Sequence, residues 1–197
     1  AAVANIACIL KDRVRALRGA ARKDNHAPAV EAALDDMADA VVTGSEAPPT
    51  IHDFGGFPQA LFDLEYPARG DPALAAEVAG LLTTAGVPVA IDHARGLDHG
   101  AWVPLMLGWP EADIPVIQLS ISSRHPPEWH YRIGQLLAPL RDRDILIIGS
   151  GSLTHKLRAV FGERRGHDAE TPGWVSAFAD WIKARFDTGD VTAVLNA

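Results

Sequence analysis

Two short strings place a histidine beside small, flexible residues. The first is Ile148-Gly149-Ser150-Gly151-Ser152-Leu153-Thr154-His155. A continuous apolar run, Ile145-Leu146-Ile147-Ile148, leads into it, small residues let the backbone turn, and an imidazole follows. Glycines of this kind can cradle a phosphate, but neither GxGxxG nor a Lys-Ser/Thr pair completes the pattern. A serine nucleophile favours G-x-S-x-G, and the string reads Gly-Ser-Gly-Ser. For His155, a metal-ligand or acid/base role stands level with that of a capping or core histidine. The second string is Gly96-Leu97-Asp98-His99-Gly100-Ala101-Trp102. Asp98 either orients the imidazole of His99 or caps the helix starting at Gly100, and the cap is the better founded. His99 itself stays balanced between an active imidazole and a structural one.

The remaining histidines carry weaker signals. His52 precedes Asp53 in the turn Asp53-Phe54-Gly55-Gly56-Phe57-Pro58, and His130 sits between Trp129 and Tyr131 as a packing or surface residue. His26, His93, His125 and His167 lie in polar or loop contexts and read as solvated. No C-x-x-C, H-E-x-x-H or H-x-H is present, so any metal site must be assembled from distant segments.

Those segments must be held by regular elements. Helical patterning covers 73–84, with Gly86 as its terminator, 101–107 begins another helix or a buried segment, and helical patterning returns over 129–140 and 174–186. In the last of these, Trp181 and Ile182 lie on the apolar side. β-Like runs cover 41–43, 87–91, 114–121 and 145–148. Strands alternating with helices predict an α/β fold: a single three-layer α/β/α domain around a mixed or mostly parallel sheet. Ligands then collect at the carboxyl ends of strands, where His155 falls. Residues 1–22 read as a basic amphipathic helix on Val3, Ile6, Leu10, Val14 and Leu17, and 28–40 as a second, acidic one. The domain reading is therefore a helical segment at 1–40 followed by the α/β region at 41–197.

Composition narrows the function classes. Of 197 residues, 48% are hydrophobic and 22% charged, enough apolar material for a core without staples. The net charge of −7 argues against nucleic acid as a partner. One cysteine, Cys8, allows no internal disulfide and points to a reducing cytoplasm. No apolar run reaches the roughly 20 residues of a membrane span.

Five strings in order resemble the class III extradiol ring-cleavage dioxygenases, the LigB-like or DOPA-dioxygenase-like family. They are Thr50-Ile51-His52-Asp53-Phe54-Gly55-Gly56-Phe57-Pro58, Tyr66-Pro67-Ala68-Arg69-Gly70, and Gly96-Leu97-Asp98-His99-Gly100-Ala101-Trp102-Val103-Pro104-Leu105. The fourth is Pro110-Glu111-Ala112-Asp113-Ile114-Pro115-Val116-Ile117-Gln118-Leu119-Ser120, and the fifth Gly149-Ser150-Gly151-Ser152-Leu153-Thr154-His155. Lys156 stands where the family usually has Asn. The resemblance covers about residue 42 to the end, and makes 41–197 a partial dioxygenase-like region. It implies a non-haem Fe(II) or Zn(II) site, an aromatic diol and O2 as reactants, and opening of the ring beside the diol. It gives His155 the role of metal ligand or nearby acid/base and His99 that of a second active-site histidine moving a proton.

The family's other ligands come from a His-Gly-Ser-Pro strand end, a Ser-Ala-His-Trp strand end and a later Glu-His segment, and none of these strings occurs here. The expectation is a chain truncated at both ends, with helices from 1–40 covering lost strand positions and a sheet edge prone to self-association. The alternative function is a metal-free, inactive family member that binds small aromatics or a partner. His155 and His99 are expected to face one cleft, with the turn at 53–58 beside it.

Overall fold

The computed structural model describes residues 2–7, 38–154 and 171–196. The expected helices at 8–22 and 28–37, Cys8, His26, His155 and His167 lie outside them. The described chain divides into two compact units, 1–151 and 152–197.

In the first unit the strands are β1 (Ala2–Ala7), β2 (Ala40–Thr43), β3 (Val89–Asp92), β4 (Val116–Leu119) and β5 (Ile145–Ser150). They form one sheet in the order β3-β2-β4-β1-β5. β1 runs parallel to β4 and to β5, β2 parallel to β3, and the β2–β4 junction is antiparallel through Val42 and Leu119. The sheet is therefore mixed, as the sequence pattern predicts.

Alternation along the strands sorts two cores. Ile117 and Leu119 face a cluster with Val42, Ile145 and the helices α2 (Pro72–Thr84) and α4 (Pro127–Leu137). Val116 and Ile148 face the other side, against Tyr66, Leu97 and α3 (His99–Gly108). Helices thus cover both faces, giving the three-layer α/β/α arrangement. The ends of α2 follow from its sequence. Asp71 accepts from the Leu74 N–H at 2.9 Å, Pro72 fills the first turn, and Gly86 takes a positive φ of 83° just past the helix.

Two short helical stretches complete this unit, α1 (Gln59–Phe62) and a 3₁₀ turn (Ala138–Arg143). The second unit contains α5 (Gly173–Thr188) and α6 (Val191–Leu195). Trp174 and Phe186 of α5 are exposed, and Arg185 lies 5.9 Å from the centre of the Trp181 ring. Among the described residues no helix is long and apolar enough to cross a membrane.

The helical reading of the first 40 residues needs correction where the structure describes them. Residues 2–7 are a strand, and Ala40 opens β2. A stretch as short as Ala2-Val3-Ala4-Asn5-Ile6-Ala7 cannot be assigned to helix or strand by periodicity alone. Here ladders to β4 on one side and β5 on the other decide for the strand. The boundary drawn at residue 40 also cuts through this sheet, because β1 supplies one of its inner strands.

Candidate active site

His99 is the first residue of α3, and both of its chain neighbours are tied to strand ends. The Asp98 N–H donates to the Gln118 side chain of β4 at 3.3 Å. The Gly100 carbonyl accepts from Ser150 Oγ at the end of β5, at 2.5 Å. His99 therefore stands at the carboxyl ends of β4 and β5, where open α/β sheets collect ligands. His155 lies five residues beyond Ser150, outside the described residues.

A second segment is laced to the same place. Residues 49–51 run beside 96–97: Leu97 N–H donates to Pro49 O and Ile51 N–H to Leu97 O, around a parallel bridge between Thr50 and Leu97. Gly96 permits this approach, because a Cβ there would sit 1.9 Å from the Pro49 oxygen. Trp102, fully buried, adds a hydrogen bond from Nε1 to Ile51 O at 2.9 Å. This lacing carries the chain from Ile51 into the glycine turn and sets Asp53 against His99.

The resulting contact is short. Asp53 Oδ1 lies 2.7 Å from His99 Nδ1 and 3.1 Å from the His99 backbone N–H. Phe54 packs edge-on to the imidazole with ring centres 6.0 Å apart, and also meets Phe57, Phe62 and Trp102. Among the described residues His99 Nε2 makes no hydrogen bond, and the side chain is 43% exposed.

The electrostatics oppose each other. A helix N-terminus disfavours an imidazolium by about 0.3–1 kcal/mol. A hydrogen bond to a charged partner contributes about 1.5–3 kcal/mol, less when solvent screens it. The carboxylates win. The Asp53 hydrogen bond holds the His99 pKa above its ordinary value against burial, with the charges of Asp53 and Asp98 adding to it. For Asp53, burial pushes upward, but the His99 side-chain and backbone hydrogen bonds and charge bring it below the usual carboxylate value.

The expected capping role of Asp98 needs correction. It occupies the position before α3, but its side chain makes no cap hydrogen bond. Its Oδ2 lies 3.5 Å from Arg95, and its buried Oδ1 has no hydrogen-bond partner among the described residues. Asp53 accepts the first helical N–H instead and is also the group on the imidazole. Sequence reasoning missed Asp53 because 46 positions separate the partners. The available signal was a carboxylate two residues before paired glycines, Asp53 ahead of Gly55-Gly56.

The other described histidines serve structure. His52 Nε2 donates to Leu64 O at 2.8 Å, and its ring meets Trp102. His93 pairs with Gly44 O at 3.0 Å. His125, expected to be solvated, instead stacks on Trp129 at 4.4 Å and lies 2.9 Å from Asp39. His130 accepts from the Ser122 N–H.

An imidazole paired with a carboxylate thus stands at a sheet's carboxyl edge with aromatic rings around it. A family model described as the catalytic LigB subunit of aromatic ring-opening dioxygenase matches residues 26–195. The chain belongs to this LigB family of class III extradiol dioxygenases. It is 49% identical over 145 residues to the 4,5-DOPA dioxygenase extradiol of Escherichia coli K12, across 73% of this chain and 51% of that protein. The Beta vulgaris protein of the same name is 48% identical over 146 residues, across 74% of this chain and 53% of its own. The crystal structure of the uncharacterized protein JW3007 from Escherichia coli K12 superposes with a TM-score of 0.62 at 31% identity, covering 93% of this chain and 58% of that one. The chain spans about half the length of the curated relatives it matches.

The described residues do not by themselves fit a metal. His99 Nδ1 and Asp53 Oδ1 are engaged with each other, and no group of three His, Cys, Asp or Glu side chains is drawn together among the described residues. A closed ligand shell of three or four donors would need side chains from elsewhere.

Proposed function

We propose that this LigB-family protein takes part in extradiol opening of catechol-type aromatic rings with O2. The cofactor in this reading is a non-haem divalent metal, Fe(II) or Zn(II), and His155 is offered as a ligand to it. His99 is the acid/base group, exchanging a proton with a substrate hydroxyl through Nε2. The single observation that carries the reading is His99 itself. Its Nδ1 is held by Asp53, its other nitrogen makes no hydrogen bond among the described residues, and an aromatic edge from Phe54 lies beside it. A planar aromatic diol suits such surroundings, since edge-to-face ring contacts add to apolar burial. The names of the relatives in Escherichia coli and Beta vulgaris make DOPA the first catechol to try. The single cysteine favours a reducing cytoplasm as the setting.

The test is O2 uptake with catechol or DOPA after addition of Fe(II) or Zn(II) to the purified chain. Uptake matched by loss of the diol is expected, with His99→Gln lowering kcat by about 10²–10⁴. No uptake with either metal would defeat the reading for this polypeptide and leave the metal-free alternative. Uptake unchanged by His99→Gln would remove His99 from the chemistry.

A further inference from the structure

We infer that Asp53 is a positioning residue that fixes His99 in the Nδ1–H form, so that Nε2 is its working atom, and that it ties this choice to the glycine turn. The inference rests on the ring-opening reading for the use of the proton, though not for its position. The argument starts from one oxygen. Asp53 Oδ1 faces two nitrogens of the same residue, the His99 backbone N–H at 3.1 Å and ring Nδ1 at 2.7 Å. A backbone N–H can only donate, so Oδ1 accepts there. A carboxyl held below its ordinary range is ionised at neutral pH and has no proton to give the ring. The hydrogen in the second contact must therefore sit on Nδ1. In the neutral imidazole this leaves the lone pair on Nε2.

The same oxygen fills the capping place that Asp98 leaves unfilled. Asp53 cannot swing away without also uncovering the first N–H of α3, so the turn and the imidazole are set together. Gly55 and Gly56 follow after Phe54, and apart from chain neighbours no atom lies within 4 Å of where a Cβ would be on either, so the turn is open on that side. The ionisable groups that act on His99 are Asp53 from the turn and Asp98 from its own helix start. Arg95 faces Asp98 at 3.5 Å. Removing the Asp53 charge leaves Asp98 as the carboxylate acting on the ring.

The test uses the whole chain and two variants. Asp53→Asn keeps an oxygen for both donors but removes the charge, whereas Asp53→Ala removes the acceptor. Ring nitrogen NMR, with His99 assigned from its disappearance in His99→Gln, reads the tautomer and the titration directly. The wild type is expected to show the Nδ1–H form. Asp53→Asn should titrate at lower pH than wild type, and Asp53→Ala should show a mixture of tautomers. In O2 uptake, Asp53→Ala should lose kcat by about 10², the scale of a misplaced reacting group. KM should change little, and the acidic limb of the Asp53→Asn profile should move to lower pH.

An unchanged His99 titration in Asp53→Asn, or an Nε2–H form in the wild type, would overturn the inference. A shifted titration in a chain that never consumes catechol would uphold Asp53 as the positioning group and reject the ring-opening reading instead.

Discussion

The Asp53–His99 pair makes folding stability depend on pH at both ends of a window. The His99 pKa is raised in the folded chain, so its contribution is complete below the unfolded histidine value of about 6.5 and is lost as pH rises through the folded value. The Asp53 pKa is lowered, so its contribution is present above the unfolded carboxylate value of about 3.9 and is lost as pH falls through the folded value. The Tm difference between wild type and Asp53→Asn should therefore be largest between these two unfolded values and shrink on both sides. A difference that stays flat from pH 4 to 9 would reject the ion pair. Gly96 offers a steric counterpart. Its Cβ position lies 1.9 Å from a backbone oxygen, which cannot rotate away as a side chain could. Gly96→Ala should cost about 1–3 kcal/mol in denaturant unfolding and loosen Asp53 from His99, because the bridge from Thr50 to Leu97 must open. Of these residues, the strings in the sequence point to His99 and to the glycine turn. They do not show that the turn's carboxylate is the partner, since the contact joins positions that only the strand-like lacing of 49–51 on 96–97 brings together.

At the scale of elements, legibility follows how local the determining physics is. Helix α2 is readable because its start and stop are written within it: Asp71, Pro72 and Gly86. Asp71→Ala should accordingly cost about 1 kcal/mol, the usual loss for a helix cap, measured by urea unfolding. A loss under a few tenths of a kcal/mol would mean that packing of Leu74, Val78 and Leu82 alone holds that end. Strand β4 is readable from its β-branched run, and all four of its residues are buried. Strand β1 is not. Its six residues carry no turn or cap of their own, and their state is decided by partners far along the chain. Helix α3 falls between. Its existence is plain, but its cap comes from another segment, so the acid next to it in sequence misled.

For the whole molecule, the mixed three-layer architecture was legible from the alternation of elements, while the strand order was not, because register is set by pairing and not by composition. The inner position of β1 yields a sharp expectation. Ala4 pairs with Ile117 on one side and Ile147 on the other. Proline has no N–H and is confined to edges and bulges of sheets, so Ala4→Pro should destabilise the fold by about 3 kcal/mol or more. A chain that tolerates it with unchanged Tm would have no strand at that place.

That same placement bears on how the molecule is made. Val3 finds its partner at Val116 and Ala2 at Ile145. A ribosome releases the first strand long before either neighbour exists, so the segment must wait unpaired while most of the first unit is synthesised. Pairings this distant in sequence slow folding, and a strand with unpaired edges kept waiting is open to strangers. Rapid refolding from denaturant at high concentration should therefore yield aggregates that slow, dilute refolding avoids. A peptide matching residues 1–7, supplied in excess during refolding, should compete for the gap between β4 and β5.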